Sequence, residues 1–143
     1  MLGTRLFLIS LALILAGQPP AAIAADLPYL FERLKRNPIY FTTLRELLRD
    51  KPLTPWLREY MRTRNGVDTP GKLISVGGKP YELYQVCQPH NCPGNFIYVL
   101  YDVGGERAVA LLTIEDRDLR FFGNPNASEK DALFGASKGR WWN

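Results

Sequence analysis

Residues 96–122 read Phe96-Ile97-Tyr98-Val99-Leu100-Tyr101-Asp102-Val103-Gly104-Gly105-Glu106-Arg107-Ala108-Val109-Ala110-Leu111-Leu112-Thr113-Ile114-Glu115-Asp116-Arg117-Asp118-Leu119-Arg120-Phe121-Phe122. Three runs rich in β-branched, aromatic and aliphatic residues, 96–103, 108–114 and 119–122, alternate with two turn signals, Gly104-Gly105 and the acidic stretch Glu115 to Asp118. Connections this short force antiparallel pairing, because a parallel pair needs a crossover of a dozen or more residues. The middle runs are apolar at consecutive positions, so both faces of the sheet need cover, and helices on both sides would supply it.

Upstream, Leu73 to Val76 and Tyr81 to Val86 flank Gly77-Gly78 and bring the expected strand count to five. Before them the apolar period changes to a helical one. Leu30, Phe31 and Leu34 precede the break Asn37-Pro38, and Phe41, Leu44, Leu47 and Leu48 form a second stripe that Asp50-Lys51-Pro52 stops. Thr54-Pro55 reads as an N-cap followed by proline at the first helical position. Leu57, Tyr60 and Met61 then supply a buried face before Asn65-Gly66. Near the far end, Ser128 and Asp131 resemble a capping box that opens a last helix through Phe134. The expected fold class is α+β, a five-stranded antiparallel sheet flanked by helices in a helix-sheet-helix sandwich.

Of 143 residues, 46% are hydrophobic and 22% charged, proportions that fit one ordinary globular domain and exclude a fibre or a disordered tail. Arg5 precedes an apolar run from Leu6 to Ala16, and small residues ending Ala22-Ile23-Ala24-Ala25 follow, the three parts of a secretory signal peptide. That run is shorter than the roughly 20 residues a spanning helix needs. Residues 1–24 are therefore expected to be a signal peptide and 25–143 a single exported domain with no membrane span. Loss of Arg5 takes the net charge from +4 to +3. Residues 32–64 hold nine of the Lys and Arg side chains against four acids. Pairs such as Glu32 with Arg36 and Glu59 with Arg62 make this a solvated helical face. Export argues against nucleic acid as its partner, although an anionic cell-envelope surface would fit.

One segment carries more information: Cys87-Gln88-Pro89-His90-Asn91-Cys92, between two expected strands. In an oxidising compartment the two cysteines are expected to pair. So small a ring stabilises a fold by only about 2 kcal/mol in the loop-entropy model; its larger effect is to hold its own contents in shape, with Pro89 fixing a further torsion. The ring would present His90, the one histidine of the chain, on a stiff projection that loses little entropy on docking. Imidazole both donates and accepts, so a natural complement is a pair of carboxyl groups, one protonated and one ionised. Many glycoside hydrolases carry that pair in their clefts. Competing readings are an inert hairpin staple, a zinc site lacking enough ligands, and a redox pair with the wrong spacing.

The ring resembles the Cys-Lys-Pro-His-Asp-Cys signature of the inhibitor of vertebrate lysozyme (Ivy) family, periplasmic bacterial proteins that block C-type lysozymes. The resemblance implies a non-enzymatic inhibitor in the periplasm, with a sheet sandwiched by helices and no cofactor or metal. It implies that the loop enters the lysozyme cleft and that His90 contacts both catalytic carboxyls, framed by Cys87, Pro89 and Cys92. Gln88 and Asn91 replace the family's Lys and Asp, and a basic chain facing a basic enzyme predicts slow association. The implied partner is a C-type lysozyme or a related peptidoglycan-cleaving enzyme such as a lytic transglycosylase, and a homodimer stays open.

The other candidates have plainer readings. Glu115, Asp116 and Asp118, the carboxylates a small hydrolase would need, read as a solvated turn with Arg117 among them. Asn126-Ala127-Ser128 matches a glycosylation acceptor but is equally explained as a helix start. Trp141-Trp142 reads as an anchor for the chain end and, in an envelope-binding module, as a sugar platform.

Overall fold

Three short helices fold against one face of a twisted sheet and a fourth against the other, in a computed structural model that describes residues 27–140. The signal segment, the cleavage position and Trp141-Trp142 lie outside the described residues. The elements run α1 (Leu30–Arg36), α2 (Pro38–Leu48), α3 (Pro55–Thr63), β1 (Val67–Asp68), β2 (Lys72–Val76), β3 (Lys79–Cys87), β4 (Phe96–Asp102), β5 (Ala108–Ile114), β6 (Asp118–Phe122) and α4 (Ala127–Ser137). All strand pairs are antiparallel. The fold is therefore α+β, as the strand spacing required.

Asn37-Pro38 marks the α1–α2 boundary for a steric reason. Proline disfavours helical backbone in the residue before it, and Asn37 is extended at φ −126° and ψ 107°. From there its side-chain oxygen accepts the Ile39 N–H at 3.0 Å and caps α2. Alternation along the strands then sorts the core into two layers. Tyr84, Val86, Ile97, Val99, Tyr101, Ala110 and Leu112 face α1, α2 and α3. Leu83, Tyr98, Leu100, Val109 and Leu111 face α4, where Leu133 and Ala136 meet them. Cover on both faces accounts for the unbroken apolar runs.

Three local expectations need correction. The sheet contains one more strand than expected, because Val67–Asp68 pairs with Cys87 and Val86 along the same edge of β3 that β2 occupies. Thr69-Pro70-Gly71 separates the two pieces, and a residue without N–H cannot continue a ladder. The sheet is thus five strands wide with a broken edge. Thr54 occupies the N-cap position of α3 but its side chain makes no cap, and its Oγ1 is buried without a partner. Helix α3 does end where expected, at Thr63 before Asn65-Gly66, with Arg64 in the left-handed region at φ 57°. Finally, α4 is opened by Asn126 and Glu129, whose side chains and backbone N–H groups bond reciprocally at 2.9 Å. Ser128 lies inside the helix.

Candidate functional site

The β3–β4 hairpin carries the ring. Cys87 ends β3 opposite Phe96, the first residue of β4, and the ladder extends one step further as the Gln88 N–H donates to the Asn95 carbonyl at 3.0 Å. Beyond that step the chain turns back sharply, and Cys87 and Cys92 are joined by a disulfide with their Cα atoms 4.9 Å apart. Six residues singled out in the sequence, Cys87, Gln88, Pro89, His90, Asn91 and Cys92, therefore occupy one rigid corner at the end of two buried strands.

Inside the ring, the Asn91 N–H donates to the Gln88 carbonyl at 3.1 Å, closing a β-turn across Pro89 and His90. His90 sits at φ 62°. Proline first and a positive φ second are the marks of a type II turn, where glycine or asparagine is the usual second residue. A histidine here accepts a sparsely populated backbone. Pro89, His90 and Asn91 are all exposed, and the imidazole has no hydrogen-bond partner among the described residues. Gln88 and Asn91, the two positions that depart from the family signature, contact each other: Asn91 Nδ2 donates to Gln88 Oε1 at 3.3 Å. A neutral amide pair thus spans the turn where the signature has Lys and Asp.

The far strand of the loop is braced from the β5–β6 turn, a contribution that the sequence reading missed. Asn95 is buried, its Oδ1 accepts the Glu115 N–H at 3.1 Å, and its Nδ2 donates to the Pro93 carbonyl at 3.0 Å. Its backbone N–H donates to the Cys92 carbonyl at 2.9 Å. The Asp116 N–H donates to the Gly94 carbonyl at 3.0 Å, and at φ 75° a Cβ on Gly94 would lie 2.9 Å from the Asp116 nitrogen. Glycine is required there by both conformation and space. Asn95 between Pro93-Gly94 and a strand was a legible turn signal; its long-range bond to Glu115 was not.

The acidic stretch is a tight turn. Glu115 and Asp116 both have positive φ and are exposed, and the Arg117 N–H donates to the Ile114 carbonyl at 3.1 Å. Asp118 is instead held by Arg120, whose Nε donates to Oδ2 at 2.9 Å and whose hydrogen bonds keep the carboxyl below its usual range. Asp118 is thus paired with a cation. The turn places Glu115 and Asp116 beside the ring. Among the described residues, no three His, Cys, Asp or Glu side chains gather in a way that could hold a metal ion.

Comparison with known proteins bears on the corner just described. The family profile described as "Inhibitor of vertebrate lysozyme (Ivy)" matches residues 40–133, from α2 into α4 and across the ring. A Pseudomonas aeruginosa protein named "Inhibitor of vertebrate lysozyme" is 33% identical over 95 residues. That alignment covers 66% of this chain and 60% of the relative, so the chain spans somewhat less than two thirds of its relative's length. With the profile covering the whole sheet, all of α3, most of α2 and α4 and the whole ring, the chain belongs to the inhibitor of vertebrate lysozyme (Ivy) family.

Proposed function

We propose that this chain inhibits a C-type lysozyme, without catalysis of its own, by inserting the Cys87–Cys92 ring into the enzyme's cleft so that His90 engages the two catalytic carboxyls. Export through the 1–24 segment would place it in the bacterial periplasm, where a host lysozyme attacks the wall. The observation that carries the reading is the state of His90: exposed, without a partner among the described residues, and held at φ 62° on a turn closed by a disulfide. Unfavourable backbone maintained around an unpartnered side chain is the signature of a group reserved for something outside the chain.

The chemistry follows from the geometry of the two partners. A glycosidase cleft offers one protonated and one ionised carboxyl at neutral pH. Neutral imidazole accepts a hydrogen bond from the first at one ring nitrogen and donates one to the second from the other. Both groups needed for catalysis are then engaged, and the sugar is excluded. A ring fixed in advance loses little conformational entropy on entering.

Titration of the purified protein against C-type lysozyme acting on cell walls tests this. Inhibition by the parent is expected, with at least a hundredfold rise in the half-inhibitory concentration for His90→Ala, a loss of about 2.7 kcal/mol. The melting temperature of that variant should stay within about 2 °C of the parent, since an exposed side chain is removed. Replacing both cysteines by serine should weaken inhibition and lower stability by about 2 kcal/mol. Undiminished inhibition by His90→Ala would remove the imidazole from the mechanism.

A further inference from the structure

The ring is not surrounded by open solvent on every side. Its flank towards α3 closes a hollow of about 200 Å³, walled by Trp56 and Tyr60 of α3, by Gly66, and by Gln88 and Pro89 of the ring itself. Two exposed residues, Glu59 and Asn65, complete the lining. Its floor is apolar, with Tyr60 buried and Trp56 half-buried against the core. Gly66 keeps that floor clear, because a Cβ there would come 2.5 Å from the Tyr60 ring. The Glu59 carboxylate is already engaged, accepting from Arg62 at 2.6 and 3.0 Å.

Two arguments connect the hollow with the ring. Pro89 is one Cα step, about 3.8 Å, from His90, and Pro89 is a wall of the hollow. A cleft deep enough to enclose His90 must therefore lay one lip against Pro89 and over the hollow. Area points the same way. A stable complex buries roughly 800 Å² on each partner, far more than a four-residue turn offers. Further contacts are required, and here a concave apolar surface continues directly from the ring.

We infer that the hollow between α3 and the ring is a second contact site for the lysozyme, seating an apolar side chain from the lip of the cleft that receives His90. The inference rests on the reading of His90 given above and adds where the complex gains its apolar anchor. An apolar side chain in a preformed pocket at the centre of an interface is where binding energy concentrates.

Plugging the hollow tests it. Glu59→Trp and Asn65→Trp place bulk at its exposed edge, Val103→Trp places the same bulk on the β4–β5 turn at the opposite end of the sheet, and His90→Ala runs beside them. Against C-type lysozyme, each plugging variant should raise the half-inhibitory concentration about tenfold or more, with melting temperatures within about 2 °C of the parent. Val103→Trp should inhibit like the parent. If both plugging variants inhibit normally while His90→Ala fails, the hollow is overturned and the ring keeps its role. If the plugging variants fail while His90→Ala inhibits normally, the hollow stands as the contact and the imidazole does not. Absence of inhibition by the parent overturns both.

Discussion

Glu129 and His90 project from opposite ends of the same molecule and are treated in opposite ways. Glu129 is 1% exposed and fully subscribed. Arg107 donates to both of its oxygens, Tyr81 to Oε1 at 3.0 Å, and the Asn126 N–H to Oε2 at 2.9 Å. Those hydrogen bonds, Arg107's foremost, hold its carboxyl down at about 2. Glu82, under α1, is treated likewise: Tyr84 donates to it at 2.7 Å and Arg33 at 3.2 Å. Among the described residues His90 has no partner, and its backbone is unfavourable. Glu129 and Glu82 are each matched by a cation within the fold, because an unmatched buried charge costs several kcal/mol. The imidazole at the tip of the ring has no such match among the described residues, and in the proposed function the lysozyme supplies it.

That contrast predicts a separation between stability and inhibition. The largest effect should come from Glu82→Ala, which takes the carboxylate from the half-buried Arg33 guanidinium and the acceptor from the Tyr84 hydroxyl, leaving only the Arg33 Nε bond to the Tyr84 oxygen at 3.0 Å. A loss of about 3 kcal/mol is expected, a fall of roughly 10 °C in melting temperature by calorimetry. Inhibition per folded molecule should be unchanged, because the change lies under α1. A matching loss of potency in the folded fraction would break the contrast.

Acid should expose the Glu129 cluster next. A carboxyl whose folded pKa is depressed contributes stability above its unfolded value, and the contribution is lost as the pH falls towards the folded value. Stability should therefore drop between about pH 4 and pH 2, by roughly 2 kcal/mol once screening of the half-exposed Arg107 is discounted. Arg107→Met should flatten that drop in acid unfolding curves; an equally steep profile would show that another group controls it.

The smallest effect sharpens the ring itself. Asn91→Asp puts a carboxylate on the turn in place of half of the Gln88–Asn91 amide pair, restoring one charge of the family signature. Association with a basic enzyme should quicken a few-fold at low salt and lose the gain as salt rises. Stopped-flow association rates read this directly, and an unchanged rate would remove charge from the account of the two replaced positions.

Much of this was legible because the decisive residues act locally. Asn37-Pro38 broke the helices where the steric rule requires, Gly77-Gly78 and Gly104-Gly105 marked hairpins, and the spacing of Cys87 and Cys92 admitted a ring in register with its flanking strands. Features that depend on distant partners were not. Val67–Asp68 is too short to show a period and is a strand only because β3 offers it an edge. Asn126 and Ser128 are equally good N-cap residues by type, and the choice falls on Asn126 because Glu129, three residues on, reaches back to it while Arg107 and Tyr81 hold the carboxylate in place. The bracing of the ring by Asn95 and Glu115 spans 20 positions. The hollow joins α3 to the ring, so no local reading of either could reveal it.

A crystal structure of the complex with a C-type lysozyme tests the central claim most directly. The account predicts the His90 imidazole between the enzyme's two catalytic carboxyls, within about 3 Å of an oxygen of each, with the ring unchanged from its free form. A complex that leaves the cleft open, with His90 in solvent and the contact made elsewhere on the sheet, would contradict it.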